Sequence, residues 1–364
     1  DISTLGKGKM KRANEESEEP EKRQRTEAAL AVHQNEKPNE AAVTVPLGME
    51  RTSKLMAPNV KLTGHEGEVF TVKFSPDGES FATAGFDKKL FLWRTYGECE
   101  NYSVLKGHAN AILELHWASD GNTIFSCGAD KTVQVWDALS LTRIKKIKGH
   151  ESIVNTCCCT RRGQDMVASG ADDATSKVWD MRAPRRASAV LEGSYPITAI
   201  AFSDQSDQLF ACDTSGTVQV WELRKNKVSY ELQGHMDVIT GCSVAPDGNH
   251  LLTNSMDNTL RCWDVRPFVR GGDSQRCVKN FTGHSHGVDK NLLKCSWSAD
   301  GDMVATGSSD NPTHAYIYDF ATKRVSYALP GHQATVNEVA FHPKEPIVIT
   351  ASSDSILYLG ELGK

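Results

Sequence analysis

Apolar and polar residues alternate along most of this chain in short runs, and the runs come in sets. The first set reads Val69–Phe74, Ser80–Ala84 and Leu90–Trp93, each a period-two stretch about as long as one strand. Pro76-Asp77-Gly78 separates the first two runs and supplies turn chemistry, with proline presetting φ and glycine tolerating a positive one. Asp120-Gly121, Pro246-Asp247-Gly248 and Asp300-Gly301 make similar turns in later sets. The spacing of three and four that marks an amphipathic helix is absent across these sets. The pattern predicts an all-β protein of short, repeated antiparallel strands.

The sets are copies of one unit. Gly-His occurs at Gly64-His65, Gly107-His108, Gly149-His150, Gly234-His235, Gly283-His284 and Gly331-His332. A degenerate copy, Gly193-Ser194, fills the one wide gap. The successive steps are 43, 42, 44, 41, 49 and 48 residues. Such a period, with Gly-His early in the copy and Trp-Asp late (Trp179-Asp180, Trp263-Asp264), resembles the WD40 family. The resemblance implies a seven-bladed WD40 β-propeller over residues 58–364, with one four-stranded blade per copy.

A finer set recurs inside the copies: His65, Thr83, Asp87 and Trp93; His108, Ser126, Asp130 and Trp136; His150, Ser169, Asp173 and Trp179; His235, Thr253, Asp257 and Trp263. The sixth copy keeps Thr306 and Asp310 but has Tyr318, the seventh keeps Thr350 and Asp354 but has Gly360, and the fourth keeps only Trp221. Histidine, hydroxyl and carboxylate could suggest a hydrolase triad. A catalytic set is needed once, however, whereas this one returns from copy to copy. The resemblance implies a hydrogen-bonded relay inside each blade, so these residues read as structural tetrads. A buried imidazole needs a partner at each nitrogen, and an indole N–H needs an acceptor. The segment near Val60–Leu62 precedes the first Gly-His, and the last copy ends at Glu361-Leu362. The N-terminal strand is therefore expected to complete the seventh blade and remove an open sheet edge.

Composition changes the picture mainly at the N-terminus. Residues 1–57 carry ten Lys/Arg, ten Asp/Glu and no aromatic residue, which predicts a disordered mixed-charge tail. Lys11-Arg12 and Lys22-Arg23-Gln24-Arg25, split by an acidic spacer, read as a bipartite nuclear import signal. The net charge of −5 therefore sits on the propeller, and no general basic bias points to nucleic acid. No run approaches the ~18–20 apolar residues of a membrane span, and no secretory signal is expected. The ten cysteines form no CxxC pair and read as free thiols of a reducing compartment. There is no GxxxxGK loop and no metal-ligand spacing. No cofactor, metal, small-molecule substrate or enzymatic activity is expected.

Several loop stretches carry a closer resemblance. They include Tyr96-Gly97-Glu98-Cys99-Glu100-Asn101-Tyr102, Trp263-Asp264-Val265-Arg266-Pro267-Phe268 and Lys290-Asn291-Leu292-Leu293-Lys294-Cys295-Ser296-Trp297. These are similar to the WD-repeat proteins of the U5 small nuclear ribonucleoprotein. That resemblance implies a nuclear, non-catalytic scaffold in pre-mRNA splicing by the spliceosome. It implies spliceosomal protein partners, chiefly the largest U5 scaffold protein. Two alternatives stay open. Trp179-Asp180-Met181-Arg182, Trp221-Glu222-Leu223-Arg224 and Trp263-Asp264-Val265-Arg266 resemble docking motifs of cullin-type ubiquitin ligase substrate receptors. Ten Lys/Arg within 143–186 could follow a phosphate backbone, although indirect contact with RNA is favoured. In the family one rim is built from positions three and five after the loop His and the position before the turn Asp. Here Phe70, Phe86, Leu113, Ile153 and Met256 are apolar at such positions, which marks them as candidate partner-binding residues.

Overall fold

The computed structural model describes residues 52–162, 165–182, 187–269, 272, 275–287 and 290–363. The import-signal clusters and the tail to residue 51 lie outside the described residues. The regular structure consists of strands, arranged as seven four-stranded antiparallel sheets. Blade 1 is β2 (Val69–Phe74), β3 (Ser80–Gly85), β4 (Lys89–Arg94) and β5 (Asn101–Lys106). Blade 2 is β6 (Ile112–Trp117), β7 (Thr123–Gly128), β8 (Thr132–Asp137) and β9 (Thr142–Lys148). Blade 3 is β10 (Val154–Cys159), β11 (Met166–Ala171), β12 (Thr175–Asp180) and β13 (Ala189–Glu192). Blade 4 is β14 (Ile197–Phe202), β15 (Gln208–Asp213), β16 (Val218–Glu222) and β17 (Lys227–Leu232). Blade 5 is β18 (Ile239–Val244), β19 (His250–Ser255), β20 (Thr259–Asp264) and β21 (Cys277–Thr282). Blade 6 is β22 (Cys295–Trp297), β23 (Met303–Thr306), β24 (His314–Asp319) and β25 (Val325–Pro330). Blade 7 joins β26 (Val336–Phe341), β27 (Ile347–Ser352) and β28 (Leu357–Glu361) to β1 (Asn59–Leu62) from the other end of the chain.

Each inner strand touches the inner strand of the next blade, and β26 returns to β2, so the sheets close into a ring. The apolar alternation read from the sequence explains where the core sits. The described core divides into seven clusters, each filling the seam between two neighbouring blades. The seam between blades 1 and 2, for example, packs Leu90 and Leu92 against Ile112, Leu115 and Trp117. A blade is thus two-faced and has no core of its own, which is why a run of strands from one copy does not suffice.

The closing strand pairs Asn59 with Gly360 and Leu62 with Leu357. Residues 52–57, assigned to the tail by composition, depart from that expectation. Thr52 and Ser53 donate their backbone N–H groups to Glu361 Oε1 at 2.6 and 2.9 Å, and Lys54 N–H reaches Glu345 Oε2 at 3.0 Å. Leu55 is 3% exposed in the seam of blades 7 and 1. Two carboxylates hold this segment, a contact that overall composition does not reveal. Burial pushes the Glu361 carboxyl up, but the donors from Thr52 and Ser53 prevail and hold it at about 2.

Leu62 lies in the same seam as Leu357 and Leu359, whereas Lys61 is exposed. Leu62→Asp is expected to cost about 3 kcal/mol or more, by losing apolar burial and placing a charge in the seam. Lys61→Asp is expected to stay within about 0.5 kcal/mol. Urea denaturation of both variants checks this.

Candidate interaction surfaces

Loop histidines and the turns between second and third strands lie on one face of the ring, called the upper face below. The structure brings together all four residues of each tetrad in blades 1, 2, 3 and 5. In blade 1, Trp93 Nε1 donates to Thr83 Oγ1 at 2.9 Å, and the Thr83 hydroxyl meets His65 Nε2 at 2.7 Å. His65 Nδ1 then meets Asp87 Oδ2 at 2.8 Å. Because the Asp87 carboxylate only accepts, Nδ1 carries the ring proton, and the neutral ring's Nε2 accepts the Thr83 hydroxyl. The same contacts run through Trp136, Ser126, His108 and Asp130 at 2.8, 2.8 and 3.1 Å. They run through Trp179, Ser169, His150 and Asp173 at 2.9, 2.8 and 2.9 Å, and through Trp263, Thr253, His235 and Asp257 at 2.8, 2.8 and 2.9 Å.

The turn aspartates do a second job. Asp173 Oδ2 accepts the backbone N–H of Glu151 at 3.0 Å, and Asp173 Oδ1 accepts the Thr175 hydroxyl at 2.6 Å. Burial pushes the Asp173 carboxyl up; Thr175, Glu151 and His150 outweigh it and hold it at about 2. Asp130 is likewise held well below the usual range, burial being overcome by His108, Thr132 and the Ala109 N–H.

The sixth blade does not follow the relay expected there. His284 Nδ1 accepts the Tyr318 hydroxyl at 3.0 Å, and Nε2 donates to Asn254 Oδ1 of blade 5 at 2.9 Å. Thr306 takes the Asn254 amide at 3.0 Å instead, and Asp310 binds the hydroxyls of Ser285 and Tyr316. A phenol at the tryptophan position reaches the histidine directly, which reverses the tautomer and releases the aspartate. The seventh blade keeps His332 with Thr350 at 2.7 Å and with Asp354 at 3.0 Å. In the fourth, Asp213 caps the turn through Ser215 and Thr217.

Six inner strands carry a β-bulge just above the middle of the ring, at Phe70, Leu113, Asn155, Thr198, Thr240 and Asn337. Four of these side chains donate across the seam to the next blade's backbone. Asn155 reaches Ile197 O at 2.9 Å, Thr240 reaches Leu293 O at 2.9 Å, Asn337 reaches Val69 O at 2.8 Å, and Thr198 reaches Ile239 O. Phe70 and Leu113 cannot donate. The upper mouth is therefore latched by polar groups around blades 3, 4, 5 and 7 and apolar at blades 1 and 2. A Cβ on Gly85 would lie 1.9 Å from Glu68 O, so the bulge in β2 requires glycine opposite it. Phe86 follows directly, stands over Gly67 and is 60% exposed. Phe70, Leu113, Ile153 and Met256 are half-buried. Of the five, only Phe86 is openly exposed.

Below the bulges, charges cross the channel. Lys73 pairs with Glu338, and Lys294 Nζ lies 3.4 Å from Glu114 Oε1. Each carboxylate also accepts a backbone N–H from the next blade, Val72 to Glu338 at 2.9 Å and Cys157 to Glu114 at 3.0 Å. Burial pulls Lys294 down, but Glu114 and Glu338 outweigh it and raise it. The quartet is charged and internally neutral, so the mid-channel is filled rather than open to a ligand. Sequence reasoning missed it. Its signal is a charge within an otherwise apolar inner-strand run, as in Val72-Lys73-Phe74 and Leu113-Glu114-Leu115.

Among the described residues, the basic groups of 143–182 do not form one stripe. Arg161 spans the lower mouth to the carbonyls of Val244 and Ala245 at 2.6 and 2.9 Å, Lys177 holds Gly149 O at 2.6 Å, and Lys146 meets Asp130 at 3.4 Å. Arg185 and Arg186 lie outside the described residues. Among the arginines of the proposed ligase motifs, Arg266 folds back on Asp264, and Arg182 meets Asp165 at 3.4 Å.

Two measurements test the buried polar groups. Asp130→Ala strips partners from His108, Ala109 N–H and Thr132, with an expected loss of ~1–3 kcal/mol in denaturation. His116 and His284 are each pulled down to about 4, by burial first, then by Lys73 for His116 and by His286 for His284. An unfolded histidine titrates near 6.5, so between about pH 6.5 and 4 the unfolded chain binds more protons. Stability is full above that window and falls with pH inside it, by up to about 1.4 kcal/mol per pH unit for each histidine. Thermal melting across this range should show the drop, and His116→Gln should reduce its slope.

Comparison with known proteins places these features in a family. The model of the WD domain, G-beta repeat, matches residues 56–94, 99–137, 141–180, 186–222, 226–264, 275–311 and 323–359. The chain is similar to the U5 small nuclear ribonucleoprotein 40 kDa protein of Homo sapiens, with 46% identity over 347 residues, 94% of this chain and 96% of that one. The protein of the same name in Dictyostelium discoideum is 44% identical over 87% of this chain and 88% of its own. Pre-mRNA-splicing factor cwf17 of Schizosaccharomyces pombe is 38% identical over 86% of this chain and 90% of its own.

Proposed function

The chain belongs to the WD40, G-beta repeat family, and from that premise we propose that it is a non-catalytic protein-interaction scaffold of the U5 small nuclear ribonucleoprotein. It acts in the nucleus, in pre-mRNA splicing, and its partners are spliceosomal proteins, chiefly the largest U5 scaffold protein. Relatives of nearly full-length coverage carry U5 and splicing names, which supports this reading. The geometry supports a binding rather than a chemical role. In blades 1, 2, 3 and 5 the histidine–hydroxyl–carboxylate set is buried and has its partners within its own blade. Charge pairs fill the middle of the channel.

The observation that carries the docking face is Phe86. It is a large ring 60% exposed on the upper face, next to the two blades whose bulges are apolar. An aromatic anchor rimmed by polar groups is the usual composition of an interface hot spot. Phe70 and Leu113 sit in blades 1 and 2, and Ile153 and Met256 in blades 3 and 5, as partly covered apolar positions. The ubiquitin-ligase reading has no observation in its favour, since Arg266 is engaged by its own aspartate. Direct RNA binding is not favoured either, because among the described residues Arg161 and Lys177 already hold backbone carbonyls.

Phe86→Glu is expected to weaken incorporation into the U5 particle by more than about 2 kcal/mol while leaving the free propeller's melting temperature unchanged. Pull-down of the particle from nuclear extract measures this. Full incorporation of a Phe70/Phe86 double variant would remove the upper rim as the docking face.

A further inference from the structure

The outer wall of blade 2 differs from the other outer strands. β9 is seven residues long, Thr-Arg-Ile-Lys-Lys-Ile-Lys, with four cations and no acid. It pairs with β8 on one side only, so its other edge is free to pair. The hairpin leading into it exposes Leu139 by 78% and Leu141 by 36%, and Ile144 in the strand itself is 60% exposed. Three large apolar side chains within six residues make a patch.

Two concavities meet at Ile144. One, of about 450 Å³, runs along β9 past Lys145, Lys146 and Lys148 to Asp180 of blade 3. The other, of about 260 Å³, opens between the two blades over Phe125, Val135, Met166 and Met181. Together they form a trench that is basic along β9 and mixed at its lower end, where Asp120 and Asp165 join the apolar side chains. Lys148 is exposed at the end of the strand.

We propose that this trench takes an extended, acidic segment of a partner protein, added as a fifth strand beside β9. The backbone edge supplies the pairing, the apolar side chains of the lower end seat an aliphatic side chain, and the exposed Lys148 selects an acidic neighbour. Lysines on an edge strand ordinarily repel further strands. Here they repel a second copy of β9 or any basic strand, and they favour an acidic one. Nucleic acid fits less well, because the exposed apolar groups are aliphatic and offer no ring for base stacking. This docking holds whether or not Phe86 anchors a partner on the upper face.

The test uses the full chain and a fluorescein-labelled eight-residue peptide alternating glutamate with valine. Fluorescence anisotropy is expected to show binding about tenfold tighter than for the same peptide with lysine in place of glutamate. N-methylation of alternate peptide amides is expected to weaken binding about tenfold or more, because a methylated edge cannot pair. Lys148→Glu and Ile144→Glu, both on exposed positions, are expected to weaken it similarly with unchanged melting temperature. Backbone amide exchange should slow at residues 142–148 on binding. Equal binding of the lysine peptide, protection confined to another strand, or binding of a uridine 12-mer with none of the acidic peptide would overturn the proposal.

Discussion

A closed ring of two-faced sheets stands on its seams, where the side chains of one blade satisfy the backbone of the next. Apolar packing alone would let neighbouring blades slide, since it has no direction. The polar bonds across the seams fix the register. Asn155, Thr198, Thr240 and Asn337 lock four seams from above. Thr71 accepts Leu115 N–H at 3.3 Å between blades 1 and 2, Glu114 accepts Cys157 N–H between blades 2 and 3, and Ser296 donates to Val339 O at 2.6 Å between blades 6 and 7. Every seam thus carries at least one directional contact, supplied by asparagine, threonine, serine or glutamate rather than by one repeated residue.

That variety is what allows an asymmetric surface on a nearly symmetric frame. Where a latch is an asparagine or threonine, the mouth is polar and occupied. Where the frame is held lower down, by Thr71 and Glu114, the bulge position is released for Phe70 and Leu113. The apolar sector of the upper face is therefore tied to the charge quartet beneath it. Gly241 contributes on the opposite side, since a Cβ there would lie 2.8 Å from Leu293 O. Its absence lets blade 6 approach and gives Lys294 a path across the channel to Glu114.

What the sequence makes legible follows from distance along the chain. The tetrads lie within one copy, His65 to Trp93 for instance, so the repeat aligns them and exposes the pattern. The exposed Phe86 is legible for the same reason, being next to a turn aspartate. The sixth-blade histidine is not, because its partner Asn254 belongs to the preceding blade and occupies no repeated position. Lys294 and Glu114 are 180 residues apart, and only ring closure makes them neighbours. The docking of Thr52 and Ser53 on Glu361 is hidden likewise, since composition assigns the segment to a tail and the contact spans the whole chain.

The pairing of β1 with β28 has a consequence for how the molecule is made. Translation delivers Asn59–Leu62 first and its partner Leu357–Glu361 almost three hundred residues later. At about 5–20 residues per second the first strand waits roughly 15–60 s on the ribosome without its mate. During that interval blade 1 also lacks its seam with blade 7, so Val69, Val72 and Phe81 have no covering surface. The nascent chain grows as an open arc with an unprotected leading edge, and the circle snaps shut only after the last copy has left the exit tunnel.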